Sequence, residues 1–320
     1  MHFYSATYRD AYDLALSVLN SQRIELNRLV NEVEIVDLIE QQLEENPFLL
    51  LDIDCNQIQN WQSLAQHTAS QNIQDKVKNL QENHEALLGD WNIQYLESAG
   101  GKVLNMDYFS VNISTLPNNP STGQQFNSQQ FLDYFRRNIN NFVEGTNFSP
   151  YCEISAICQQ EINLWNSSNP LGAIIKLDIS VFPNSLIGNI IGNDGVVVLA
   201  ENTPNYWRFM TMEAPYDSEH PVTGTRQFGI EQNSNGSYNI YVRGVDRFTS
   251  RIQEAAVGLF VKPFIFADSL WESFQEKTNQ FVNSNGGVST INTPITSRPN
   301  WGKVKEVLEG SRPVSDLGCN

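Results

Sequence analysis

Positive charge is scarce in this sequence. Its 320 residues carry 20 Lys and Arg against 36 Asp and Glu, a formal net charge of −16 and a pI of about 4.6. A surface this negative repels nucleic-acid phosphates and anionic lipid headgroups, so non-specific nucleic-acid binding is not expected. Long apolar runs are also missing. In the stretch 258–266, one of the longest, Lys262 and Pro263 interrupt the pattern, and no membrane span is expected. The first 20 residues carry Arg9, Asp10 and Asp13 where the apolar segment of a secretory signal would lie. A soluble chain made in the cytoplasm is expected, with any export using a route that needs no N-terminal signal.

Cysteine is sparse too. Cys55, Cys152, Cys158 and Cys319 form no CxxC pair, and four in a chain of this length do not read as a disulfide framework. No histidine lies near Cys152 and Cys158 to complete a zinc site, so reduced, buried thiols are expected. GxGxxG, the P-loop, HExxH and GxSxG are all absent. The sequence therefore names no cofactor and no metal.

What is present supports a real core, with 40% hydrophobic and 11% aromatic residues. Ala11, Leu14, Val18 and then Leu26, Leu29, Val33 recur at helical spacing, which predicts helix over residues 5–46. Further helices are expected over 56–98, stopped by Gly100-Gly101. Residues 112–128 combine two prolines, a glycine and a cluster of Asn, Ser and Thr, and read as a linker. Helices follow at 126–143 and 153–165. The period then changes, and 173–181, 195–200 and 207–212 read as strands. Residues 226–231 and 239–244 form a hairpin through Asn235-Gly236, the strongest short hairpin signal in the chain. Helices are expected again over 249–261, 267–283 and 301–308, with 288–300 irregular. The fold class is α+β: a helical region over 1–111, a linker over 112–128, and a mixed domain over 129–320. Its mainly antiparallel sheet has about five strands flanked by helices.

The densest set of polar residues is Glu213, Asp217, Glu219, His220, Arg226, Glu231, Arg243, Asp246, Arg247 and Arg251, with four arginines inside 26 positions. A two-residue hairpin loop sets Phe228 opposite Arg243 and Arg226 opposite Val245; a four-residue loop sets Arg226 opposite Arg243. Either register puts Arg226, Phe228, Ile230, Tyr241 and Arg243 on one face. Two guanidinium groups so close need a negative partner, and a substrate phosphate or carboxylate is one. Arg226, Arg243, Tyr241 and Arg247 are the candidate binding residues. The competing reading is that Glu213, Asp217 or Asp246 supplies the charge internally. His220 sits in a turn-like segment where Asp217 or Glu213 can pair with it, giving a candidate acid–base set of His220, Asp217 and Glu213. The bland reading is a histidine that only bonds its own turn. Trp165, Trp207 and Trp271 read as core residues.

The run HPVTGTRQFG at 220–229, followed by YVRGVDR at 241–247, resembles a domain family of bacterial polymorphic-toxin and injected-effector proteins. LWNSSNPLG at 164–172, DSLWESFQ at 268–275 and FVNSNGG at 281–287 are similar to the same family, which the chain resembles over about residues 126–290. The resemblance carries over no catalytic residue. It implies a setting: toxin-like cargo of a contractile injection system, with the injection apparatus or a cognate immunity or chaperone protein as partner. The other readings are a cytoplasmic hydrolase or transferase using the same site, and a non-enzymatic binding or structural module.

Overall fold

The computed structural model describes residues 55–84, 89–179, 194–217, 220–250, 254, 264–317 and 319. The helix expected over 5–46 and most of that expected over 249–261 lie outside these residues, as do Glu219 and Arg251.

Ten strands among the described residues form one antiparallel sheet. They are β1 Asn92–Ile93, β2 Leu104–Thr115, β3 Thr146–Pro150, β4 Ile174–Ile179, β5 Asp194–Asn202, β6 Tyr206–Glu213, β7 Val222–Gln232, β8 Tyr238–Phe248, β9 Val288–Ile291 and β10 Ile295–Ser297. The order across the sheet is β10-β2-β8-β7-β6-β5-β4-β3, with β9 also pairing β2 and β1 pairing the end of β6. The α+β class holds, but the sheet has ten strands where about five were expected.

Six α-helices among the described residues cover its two faces: α1 Ile58–Ala65, α2 Gln71–Asn83, α3 Ser128–Arg137, α4 Ser155–Trp165, α5 Ile265–Ser284 and α6 Trp301–Leu308. Each helix start has a local cause where a cap exists. At α3, Asn127 Oδ1 accepts from Gln130 N at 2.9 Å and Gln130 Oε1 accepts from Asn127 N at 3.0 Å, a reciprocal capping box. The first face buries Phe109, Phe209, Phe228 and Val242 against Phe131 and Phe135 of α3 and Trp271 and Phe274 of α5. The second face buries Val196 and Met210 against Ile73 and Val77 of α2. Farther across the same face, Leu104, Met106 and Val245 meet Trp61 and Leu64 of α1 and Val304 and Leu308 of α6. Among the described residues, no helix is long and apolar enough to cross a membrane.

Three expectations are corrected here. Residues 112–115 are not linker. They end β2, which pairs with β8 along ten positions and with β9. Farther on, Asn118 N donates to Asn285 O at 2.8 Å and Phe126 is buried in the core. A boundary at 112–128 would cut the middle of the sheet, and α1 and α2 pack on the same sheet as everything after it. Residues 288–300 are not irregular either, since β9 and β10 add to β2. Nor are the cysteines reduced. Cys55 is bonded to Cys319 and Cys152 to Cys158.

The fourth correction concerns the hairpin. Asn233 N donates to Ser237 O at 2.8 Å and Gly236 N to Asn233 O at 2.9 Å, closing a loop of three residues, Ser234, Asn235 and Gly236. Gly236 has φ +88°, the left-handed conformation that this loop class requires at its last position. An odd loop length shifts the pairing by one residue, so Arg226 faces Gly244 and Gln227 faces Arg243. Because side chains alternate with period two, that single residue puts Arg226 and Arg243 on opposite faces.

Candidate functional site

Arg226 lies on the first face. The row Arg226–Gly244–Asp107 runs across β7, β8 and β2. Gly244 has no side chain, and the Arg226 guanidinium occupies that space: a Cβ on Gly244 would sit 2.3 Å from Nη2. The guanidinium thereby reaches Asp107 with two parallel bonds of 2.8 and 2.9 Å and Asp246 at 2.8 Å, and lies 4.6 Å over the Trp271 ring. Asn105 Nδ2 donates to Asp107 at 2.8 Å and to Asp246 at 3.1 Å. Burial opposes the charge on Arg226, but Asp107 and Asp246 outweigh it and hold its pKa above the ordinary value. Burial likewise opposes ionisation of Asp107, yet Arg226 holds that carboxyl below its usual range, while burial leaves Asp246 raised. Nearby, Asp268 pairs with Arg298 at 2.5 Å, and burial pushes its carboxyl up to about 6. Arg226 is thus neutralised by the protein's own carboxylates.

Arg243 lies on the second face and is 6% exposed. Its row is Arg208–Gln227–Arg243–Tyr108, across β6, β7, β8 and β2. The guanidinium lies 4.7 Å from the Tyr108 ring centre and 4.9 Å from that of Tyr241, and the two rings are 5.5 Å apart. It therefore caps an adjacent pair of phenol rings. Among the described residues no carboxylate pairs with it, no hydrogen bond reaches it, and its Nε is buried without a partner. The surroundings are fixed by other bonds. Gln227 Nε2 donates to Tyr241 OH at 2.5 Å, and Arg208 Nε donates to Gln227 Oε1 at 2.8 Å. Arg208 is itself paired with Glu201 at 2.9 Å, and Tyr108 OH donates to Glu231 at 3.1 Å. Burial raises the pKa of both tyrosines, so they remain neutral hydroxyl donors.

The remaining candidates are dispersed. Arg247 is buried, not solvent-facing, and caps backbone carbonyls: Nε to Gly101 O at 2.9 Å and Nη1 to Leu96 O at 2.8 Å, with Trp301 beneath it at 4.5 Å. Asp217 is ion-paired to Lys176 at 2.7 Å, and Lys176 also meets Glu153 at 2.7 Å. Glu213 is half-buried at the end of β6, opposite Asn92. His220 is 5% exposed. Its Nδ1 lies 2.7 Å from Val222 O, which assigns the proton to Nδ1 and leaves Nε2 as the lone-pair atom. That Nε2 faces Gly195, where a Cβ would sit 2.6 Å away. No contact joins His220 to Asp217 among the described residues, and the acid–base pair expected between them is not formed. Among the described residues no group of three or more His, Cys, Asp or Glu is placed to hold a metal.

His220 still leaves a pH signature. Burial pushes its pKa from 6.5 to about 4. The unfolded chain then takes up a proton as pH falls below about 6.5, while the folded one does not until about 4. Its contribution is full above pH 6.5, declines as pH drops toward 4, and is flat below, a loss on the order of 3 kcal/mol. Asp268, with a raised pKa, acts in the opposite sense between about 4 and 6. The difference between wild type and His220→Asn isolates the histidine: urea unfolding should give a gap that narrows from pH 7 to pH 4. A gap independent of pH would reject the assignment.

The sequence singled out Arg243 and Tyr241, and placed Glu231 in the same polar set, but missed Tyr108, Gln227 and Arg208 as their neighbours, and Asp107 and Asn105 as the partners of Arg226. Asp107 left one local trace, a carboxylate inside the strand-like run LNMDYFSV at 104–111.

No protein-family model matches this chain, and no curated protein is similar to it in sequence. A solved structure described as a conserved protein from Geobacillus kaustophilus is similar over 57% of this chain and 99% of its own, at 10% identity and a TM-score of 0.32. A likeness at that level carries no argument about fold or function.

Proposed function

We propose that the protein is an effector-like bacterial module that binds a ligand through an anionic group, carboxylate or phosphate, held by Arg243. One observation carries this reading: an arginine more than nine-tenths buried, its guanidinium capped on one side by two phenol rings and its Nε buried without a partner, with no anionic partner among the described residues. A buried cation without a partner is costly, and a ligand carboxylate or phosphate relieves that cost through paired N–H donors. The injected-effector setting rests on the sequence resemblance. It draws support from the two disulfides, which persist in oxidising surroundings and not in a reducing cytoplasm.

Arg243→Met tests the reading, because methionine keeps the packing and removes the charge. Affinity for acetate or inorganic phosphate, followed by NMR titration, should fall roughly 10- to 100-fold, the effect of one charge-assisted contact. The variant's unfolding free energy should stay level or rise by about 1 kcal/mol, since an unpaired buried charge has gone. A brace for the sheet would show the opposite: lost stability and unchanged anion binding.

A further inference from the structure

We infer that the ligand held by Arg243 is a small zwitterion of the amino-carboxylic acid class, its carboxylate on Arg243 and its ammonium on Glu231. This rests on the anion-binding reading above and names the kind of molecule that fits it. Two opposite charges flank the Tyr108 side chain. Arg243 lies over its ring at 4.7 Å, and Glu231 accepts from its hydroxyl at 3.1 Å. Neither has an ion-pair partner among the described residues, although Arg208 and Glu201 on the same face pair with each other at 2.9 Å. A phenol ring separates the two charges, so Arg243 and Glu231 do not neutralise each other by contact. A ligand with a positive and a negative group a few bonds apart satisfies both.

The alternative anions fit less well. A dianionic phosphate on Arg243 would add negative charge near Glu231, within a chain of net charge −16. A simple carboxylate leaves Glu231 without a cation. A zwitterion adds no net charge to this acidic chain. The Tyr108 hydroxyl stays protonated because burial and then Glu231 raise its pKa, so it continues to orient the Glu231 carboxylate.

The test compares propionate, methylammonium, glycine, β-alanine and γ-aminobutyrate on the folded full chain by NMR titration, with Glu231→Gln and Arg243→Met alongside. Glutamine retains an acceptor for the Tyr108 hydroxyl and removes only the charge. One of the amino acids should bind roughly fivefold tighter than propionate, the gain of one partly exposed charge contact. Glu231→Gln should erase that preference and leave propionate affinity in place, while Arg243→Met should weaken both. Propionate binding as tightly as every amino acid, or a preference untouched by Glu231→Gln, overturns the zwitterion and leaves the anion site standing. Absence of carboxylate binding, or binding unaffected by Arg243→Met, sinks the anion site itself.

Discussion

Asp107→Ala should lower the unfolding free energy by about 3–5 kcal/mol, the usual effect of removing one partner from a buried ion pair. The aspartate is fully buried and gives Arg226 two of its three carboxylate bonds. Without it the guanidinium keeps Asp246 and the Trp271 ring, and Asp246 is the carboxyl that burial leaves raised. The loss is large because a buried cation becomes under-compensated, not because the pair itself adds much over apolar packing. Asp246→Asn should therefore cost less, since Asp107 still supplies the paired contact and the amide can still accept from Arg226. Urea unfolding of both variants measures the order. An Asp107→Ala loss below about 1 kcal/mol would mean that water or a rearranged Asp246 compensates the arginine.

The same cluster shows why part of the fold was hidden in the sequence. The hairpin, the helices at 128–137, 155–165, 265–284 and 301–308, and the short strands at 174–179, 194–202 and 206–213 follow from local patterns. Asn-Gly, the capping box at Asn127 and runs of β-branched residues are all signals within a few positions of what they determine. β2 is different. Its residues Asn105, Asp107, Ser110 and Asn112 look misplaced in a strand until their partners are known, and those lie far off: Arg226 for Asp107, Asp246 for Asn105, Asn239 for Asn112. With these polar groups in place, 112–115 read as the start of a linker. β9 and β10 were lost for a related reason. They are short edge strands with half-exposed residues, and their pairing with β2 only makes sense once β2 is a strand.

The candidate site turned on a smaller quantity. Expecting an even loop length placed Arg226 and Arg243 together; a three-residue loop separates them by the thickness of the sheet. The question raised by clustered cations was sound, and the two arginines answer it differently. Arg226 finds carboxylates within the chain, and Arg243 finds two tyrosines and no acid among the described residues. The cross-strand neighbours of Arg243 were not legible, because Tyr108 and Arg208 come to it by sheet order alone.

The largest effect is expected at the cysteines. Cys55 precedes α1 and Cys319 follows α6, so their bond joins two helices that already share the second-face core through Trp61, Leu64 and Leu308. It closes a loop of 264 residues, whereas Cys152–Cys158 closes one of 6. If the bonds act by restricting the unfolded chain, the long loop is worth about 5–6 kcal/mol and the short one about 2 kcal/mol. Cys319→Ser should then lower the melting temperature by roughly 10 °C or more, and Cys158→Ser by much less. Wild-type protein treated with a thiol reductant should fall to the level of the double variant. Equal, small losses from both substitutions would show that the ends are held by packing alone, and would remove the disulfides as support for an oxidising destination. A large loss confined to Cys319→Ser would mean that the fold reaches full stability only where the Cys55–Cys319 bond can persist, in oxidising surroundings.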